Sequence, residues 1–118
     1  MGDKVFHVCG EEWHMEVKPQ SEDKYLSDGC YGYCDNSTRT IIIVDMNTVK
    51  CVELHAPDVY WRKVVRHEVI HAFLFESGLC NNAFSCDCWS ANEEMVDWFA
   101  KQLPKINRAF AELGVLND

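Results

Sequence analysis

A chain of 118 residues holds one domain with a modest core and is too short for two. An apolar content of 47% with 25% charged residues is that of an ordinary folded protein and excludes a disordered one. Nineteen acidic against eleven basic residues leave a net charge of −8, which repels polyphosphate, so no nucleic-acid partner is expected.

No apolar run approaches the roughly 18 residues of a membrane span, so no membrane association is expected. The opening Met1-Gly2-Asp3-Lys4-Val5-Phe6 lacks the apolar stretch of a secretory signal, and the expected compartment is the cytoplasm. Cys9, Cys30, Cys34, Cys51, Cys80, Cys86 and Cys88 make a high and odd count. Without an export signal their expected state is the reduced thiol, the disulfides of a secreted domain being the alternative. Cys30-x-x-x-Cys34 and Cys86-x-Cys88 could form part of a second metal site, although neither has the C-x-x-C spacing of zinc ribbons.

In chain order, Val5 to Val8 and Trp13 to Val17 read as a hairpin around Gly10-Glu11-Glu12. Trp13, Met15 and Val17 alternate with His14 and Glu16, the two-residue period of a half-buried strand. Pro19 to Asp28 is polar and predicts a loop or one short helical turn. Tyr31 to Cys34 and Arg39 to Asp45 flank Asp35-Asn36-Ser37-Thr38, a good turn sequence. Ile41-Ile42-Ile43-Val44 is the strongest strand signal in the chain. An antiparallel sheet of three or four strands is expected. Asn47 to His55 is open between loop and strand.

Pro57 suits the first turn of a helix and Gly78 its stop, about 20 residues and 30 Å apart. From Val64 onward this helix is apolar on nearly every side, which predicts a helix buried in the middle of the domain. Leu79 to Trp89 reads as a loop. Ser90 can cap a second helix running to about Leu103, and Pro104 opens a third that stops near Gly114. The fold class is therefore α+β: a small antiparallel sheet on a central helix, with two further C-terminal helices, all in one domain over 1–118.

The central helix carries His67-Glu68-Val69-Ile70-His71. Residues four apart on a helix sit about 40° apart around its axis, so the two imidazoles project side by side. Two neutral imidazoles and a neighbouring carboxylate match a hydrolytic zinc, which needs nitrogen ligands, an open position for water and a base for that water. Such sites take three protein ligands. Glu93 and Asp97, four apart on the second helix, supply a third ligand and an acceptor for the far nitrogen of a ligating histidine. Ser90-Ala91-Asn92-Glu93 also reads as a capping box, with Glu93 bonding the cap backbone. That cap leaves Asp97 and the paired histidines without a role. Glu94 is an alternative ligand, but it points about 100° away from the face of Asp97.

H-E-x-x-H followed by Asn92-Glu93-Glu94-Met95-Val96-Asp97 resembles the thermolysin-like zinc peptidases, the gluzincins. Tyr31-Gly32-Tyr33, Thr40 to Asp45, the histidine motif and Asn92-Glu93 follow the order seen in minimal phage and prophage metallopeptidases related to the ImmA/IrrE group. The resemblance covers roughly residues 4–110. It implies zinc ligands His67, His71 and Glu93, general base Glu68 and Asp97 behind a ligand. It implies hydrolysis of a peptide bond in a protein or peptide substrate, in the host cytoplasm if the chain is phage-encoded. There is no helix-turn-helix domain, so no DNA link is inherited. The residue that steadies the oxyanion in larger relatives has four candidates here: Tyr31, Tyr33, Tyr60 and His55.

If Ile41–Val44 is an edge strand beside the site, an extended peptide can add to it. Two rivals remain. Peptide deformylases pair the same motif with an upstream cysteine ligand, for which Cys30 stands, but their other segments are missing and Glu93 and Asp97 are left idle. A non-catalytic protein held together by zinc, acting as a phage-encoded binder of a host protein, needs a fourth ligand, and Cys80, Cys86 and Cys88 are the candidates.

Overall fold

A computed structural model describes residues 3–49, 55–79 and 92–117. Cys51, Cys80, Cys86, Cys88, Trp89 and Ser90, with the loop expected after Leu79, lie outside the described residues.

The first two strands, β1 (Lys4–Val8) and β2 (Glu11–Lys18), form the expected hairpin, Phe6 opposite Trp13 and Val8 opposite Glu11. The two residues of its turn, Cys9 and Gly10, both have positive φ, the backbone that matches the twist of a tight hairpin. Trp13 and Met15 point into the core and His14 outward, as the alternation requires. The chain then crosses beneath the sheet through a 3-10 turn at Gln20–Glu22 and the short helix α1 (Lys24–Ser27). The Asp23 carboxylate caps α1 by accepting from the backbone N–H groups of Tyr25 and Leu26. Strand β3 (Gly32–Asp35) turns through Asp35, whose side chain accepts from the Ser37 N–H at 3.0 Å, into β4 (Thr40–Val44).

The strand order is β1-β2-β4-β3. β4 lies antiparallel to β3 and parallel to β2, so the sheet is mixed where an all-antiparallel one was expected. The crossover at 19–31 carries β3 past the place that β4 then fills. β4 is thus an inner strand, so the edge position that peptide addition to it required is not met, and all five of its residues are buried. Ile41 and Ile43 face Trp13, Met15, Trp61, Val64 and Ala72, while Ile42 and Val44 face Leu26 of α1. An uninterrupted apolar run is what a strand covered on both faces needs.

Helix α2 (Pro57–Glu76) starts at Pro57 and stops before Gly78 at φ 85°, as predicted. Four of its five buried positions, Trp61, Val64, Glu68 and Ala72, form one stripe against the sheet. Trp61 Nε1 donates to the Val44 carbonyl at 3.1 Å. The far side is only partly covered, with Leu74 buried and Val59 and Phe73 exposed, so α2 lies on the sheet rather than buried all round as its composition suggested.

Asn92 caps helix α3 (Glu93–Glu112), accepting from the Met95 N–H at 2.9 Å. The two C-terminal helices expected from Pro104 are one helix with the proline inside it. A proline at 104 has no N–H to give the Ala100 carbonyl one turn back. Arg66 Nε of α2 donates to that carbonyl instead, at 2.6 Å, so the vacancy left by proline becomes a tie between the helices. Among the described residues no helix is long and apolar enough to cross a membrane.

Candidate metal centre

Three side chains converge where α2 passes the start of α3. His67 Nε2 lies 2.9 Å from Glu93 Oε2, His71 Nε2 lies 3.1 Å from Glu93 Oε1, and the two Nε2 atoms are 3.2 Å apart. The α-helical spacing brings the imidazoles together, with ring centroids 4.9 Å apart. Because Asn92 is the cap, Glu93 occupies the first helical position and its carboxylate turns to the imidazoles instead of closing a capping box. The expected ligand triad is therefore brought together. Glu94 is exposed and stands outside it.

Donor atoms about 2.0–2.2 Å from a tetrahedral zinc stand about 3.3–3.6 Å from one another. Each of the three residues offers a ligand atom, and these atoms all lie within 4.8 Å of one another, so two nitrogens and a carboxylate oxygen fit a borderline-soft divalent cation. Two imidazole lone pairs this close repel unless a proton or a cation lies between them. The donor set thus fits the zinc that the motif implies.

Glu68 lies on the core-facing stripe of α2, which is why only 7% of it is exposed. Among the described residues no group donates a hydrogen bond to its carboxylate. Burial pushes its pKa up to about 7, with Glu93 adding to the rise and His67 opposing it. Gly32 of β3 packs directly on it: a Cβ at Gly32 would meet Glu68 Cγ at 3.3 Å, Val64 Cγ1 at 3.0 Å and Ile43 Cδ1 at 3.2 Å.

Two adjoining cavities meet at Gly32, His67 and Glu68. The larger, about 440 Å³, is bounded by His71, Glu93, Cys30, Cys34 and Asn36. The smaller, about 200 Å³, is bounded by Tyr31, Tyr60, Lys63 and Asp97. Asp97, the residue expected behind a ligand, places Oδ1 3.5 Å from His67 Nδ1 and 3.0 Å from Lys63 Nζ. Partial burial pushes the Asp97 pKa up, but Lys63 and His67 more than offset it and leave the carboxyl below its ordinary range.

The four oxyanion candidates separate. The Tyr33 hydroxyl is taken by Asp23 at 2.6 Å, and His55 is exposed ahead of α2. Tyr31 and Tyr60 stack edge to face at 5.6 Å and line the smaller cavity. Cys30, the ligand of the deformylase reading, donates instead to the Gly32 carbonyl at 2.7 Å, and the group that could hold a metal is His67, His71 and Glu93. The cysteines proposed as a fourth ligand lie outside the described residues.

Sequence reasoning missed Gly32, Arg66 and Lys63. The signal for Lys63 was present, since it precedes His67 by one helical turn and shares its face. Compared with protein families, with curated proteins and with solved structures, the chain matches none.

Proposed function

We propose that this chain is a zinc-dependent metallopeptidase of minimal gluzincin type that hydrolyses a peptide bond in a protein or peptide substrate. The observation that carries the reading is the convergence of His67, His71 and Glu93 beside a buried Glu68 carboxylate open to the same cavity. A zinc held by those three residues supplies a Lewis acid that acidifies water and polarises a substrate carbonyl.

Glu68 is the proton acceptor. Its place under Gly32 keeps the side chain at the junction of the two cavities, and among the described residues no group donates a hydrogen bond to its carboxylate, which leaves the oxygens for water. Tyr31 and Tyr60 are the nearest candidates to hydrogen-bond a developing oxyanion from the smaller cavity. The role of β4 as peptide acceptor is withdrawn, because both its edges are paired.

β3 takes that role. The Val44 N–H donates to the Tyr31 carbonyl, so alternation along an antiparallel ladder turns the Gly32 carbonyl to the outer side, where Cys30 Sγ reaches it. An extended substrate lying along β3 replaces that thiol with a backbone N–H beside Glu68.

Glu68→Gln tests the reading: zinc content is expected to stay at the wild-type level while turnover of a peptide library falls at least about 100-fold. A variant that cleaves as well as the wild type refutes Glu68 as the base. Wild-type protein that binds zinc and cleaves no peptide points to the structural zinc protein instead.

A further inference from the structure

The facing sides of α2 and α3 carry a single file of alternating charges and rings. Lys63 Nζ lies 3.0 Å from Asp97 Oδ1, Asp97 Oδ1 3.5 Å from His67 Nδ1, His67 Nε2 2.9 Å from Glu93 Oε2, and Glu93 Oε1 3.1 Å from His71 Nε2. The file follows from two four-residue ladders: Lys63, His67 and His71 on one helix, Glu93 and Asp97 on the other. The geometry points to Lys63 as a positioning residue that pins the Asp97 carboxylate against His67 and thereby orients the first zinc ligand. This rests on the zinc reading proposed above.

The Asp97 side chain is 41% exposed, so without a second anchor it is free to turn to solvent. Lys63 is the better-held partner: its side chain is 26% exposed and its ammonium lies 5.4 Å from the centre of the Tyr60 ring. Held in this way, Asp97 accepts from Nδ1–H of His67 and leaves the Nε2 lone pair for the cation. The Nε2 atom is the one that faces Glu93 and His71, so the tautomer that Asp97 selects is the one that can ligate.

The direction of the effect separates positioning from bulk electrostatics. Removing a cation near a divalent ion relieves repulsion and by itself tightens metal binding. Weaker binding after loss of Lys63 therefore reports misplacement of Asp97. Zinc affinity is measured by chelator competition for the wild type, Lys63→Met, Lys63→Arg, Asp97→Asn and the Lys63→Met/Asp97→Asn double variant.

Lys63→Met is expected to bind zinc about three- to tenfold more weakly, below the range for direct partners of a ligand. Lys63→Arg is expected to stay within about twofold of wild type, and Lys63→Met to cost less than about twofold once Asp97 is already Asn. Lys63→Gln replaces Lys63→Met if the latter does not fold. Zinc binding that is unchanged or tighter without the lysine, or penalties that multiply in the double variant, overturns this inference alone. Wild-type protein that takes up no zinc overturns the proposed function with it.

Discussion

Gly32 decides how close the sheet can come to helix α2. With no Cβ, its backbone packs on Val64 and on Cγ of Glu68, which leaves Glu68 only 7% exposed. Gly32→Ala puts a methyl group at 3.0–3.3 Å from three side-chain atoms, one of them in Glu68. We predict a stability loss of about 1–3 kcal/mol from this overpacking, measured by urea unfolding, and a larger loss of turnover than of zinc affinity. Equal losses in both would mean that the substitution disturbs the ligands rather than the base. Residues of this kind explain what was legible at the smallest scale. The pairs His67/His71 and Glu93/Asp97 could be read because helical spacing alone puts each pair on one face. Gly32 could not, since its role depends on a strand and a helix 36 positions apart in the chain, residues 32 and 68, coming into contact.

Between elements, the end of α2 is held to the sheet by Glu76, which accepts from Trp13 Nε1 at 2.8 Å and is hydrogen-bonded to Arg39 Nε just before β4. The Arg39 hydrogen bond and charge, with help from Trp13 and against some desolvation, hold the Glu76 carboxyl below its usual range. A depressed folded-state pKa contributes stability that is present above the unfolded value of about 4.3 and is lost as pH falls through the folded value. The stability gap between wild type and Glu76→Gln is therefore predicted to be widest near neutral pH and to narrow on acidification to about pH 3, followed by thermal unfolding. A gap that stays constant with pH would contradict the assignment. At this scale the reading of the sequence was right about which segments are strands and wrong about two junctions. Ile41 to Val44 has no polar alternation, and that continuous run already argued for an inner strand. Pro104 marks a helix end when the orphaned carbonyl has only water. Here Arg66 reaches Ala100 from a different element, a partner that no local pattern announces.

Taken whole, the chain is an α+β domain in which one helix lies on a mixed four-stranded sheet and a second crosses it at the candidate metal centre. The class was legible because hydrophobic period and turn residues are local signals, whereas the parallel pairing of β2 with β4 is set by the path of the intervening segment. Across the α2–α3 seam, buried Val96 and Ala100, the Arg66 tie and the Lys63–Asp97 pair set the spacing on which the three candidate ligands depend. A cation shared by both helices adds to that seam, so zinc at about 100 times its dissociation constant is predicted to raise stability by about 2.7 kcal/mol. The most direct test is zinc bound per chain after equilibrium dialysis near neutral pH, for wild type and Glu93→Ala. One zinc per wild-type chain, with affinity reduced at least about tenfold in Glu93→Ala, is the predicted result. A wild type without zinc, or a Glu93→Ala variant that holds it as tightly as the wild type, would contradict the account.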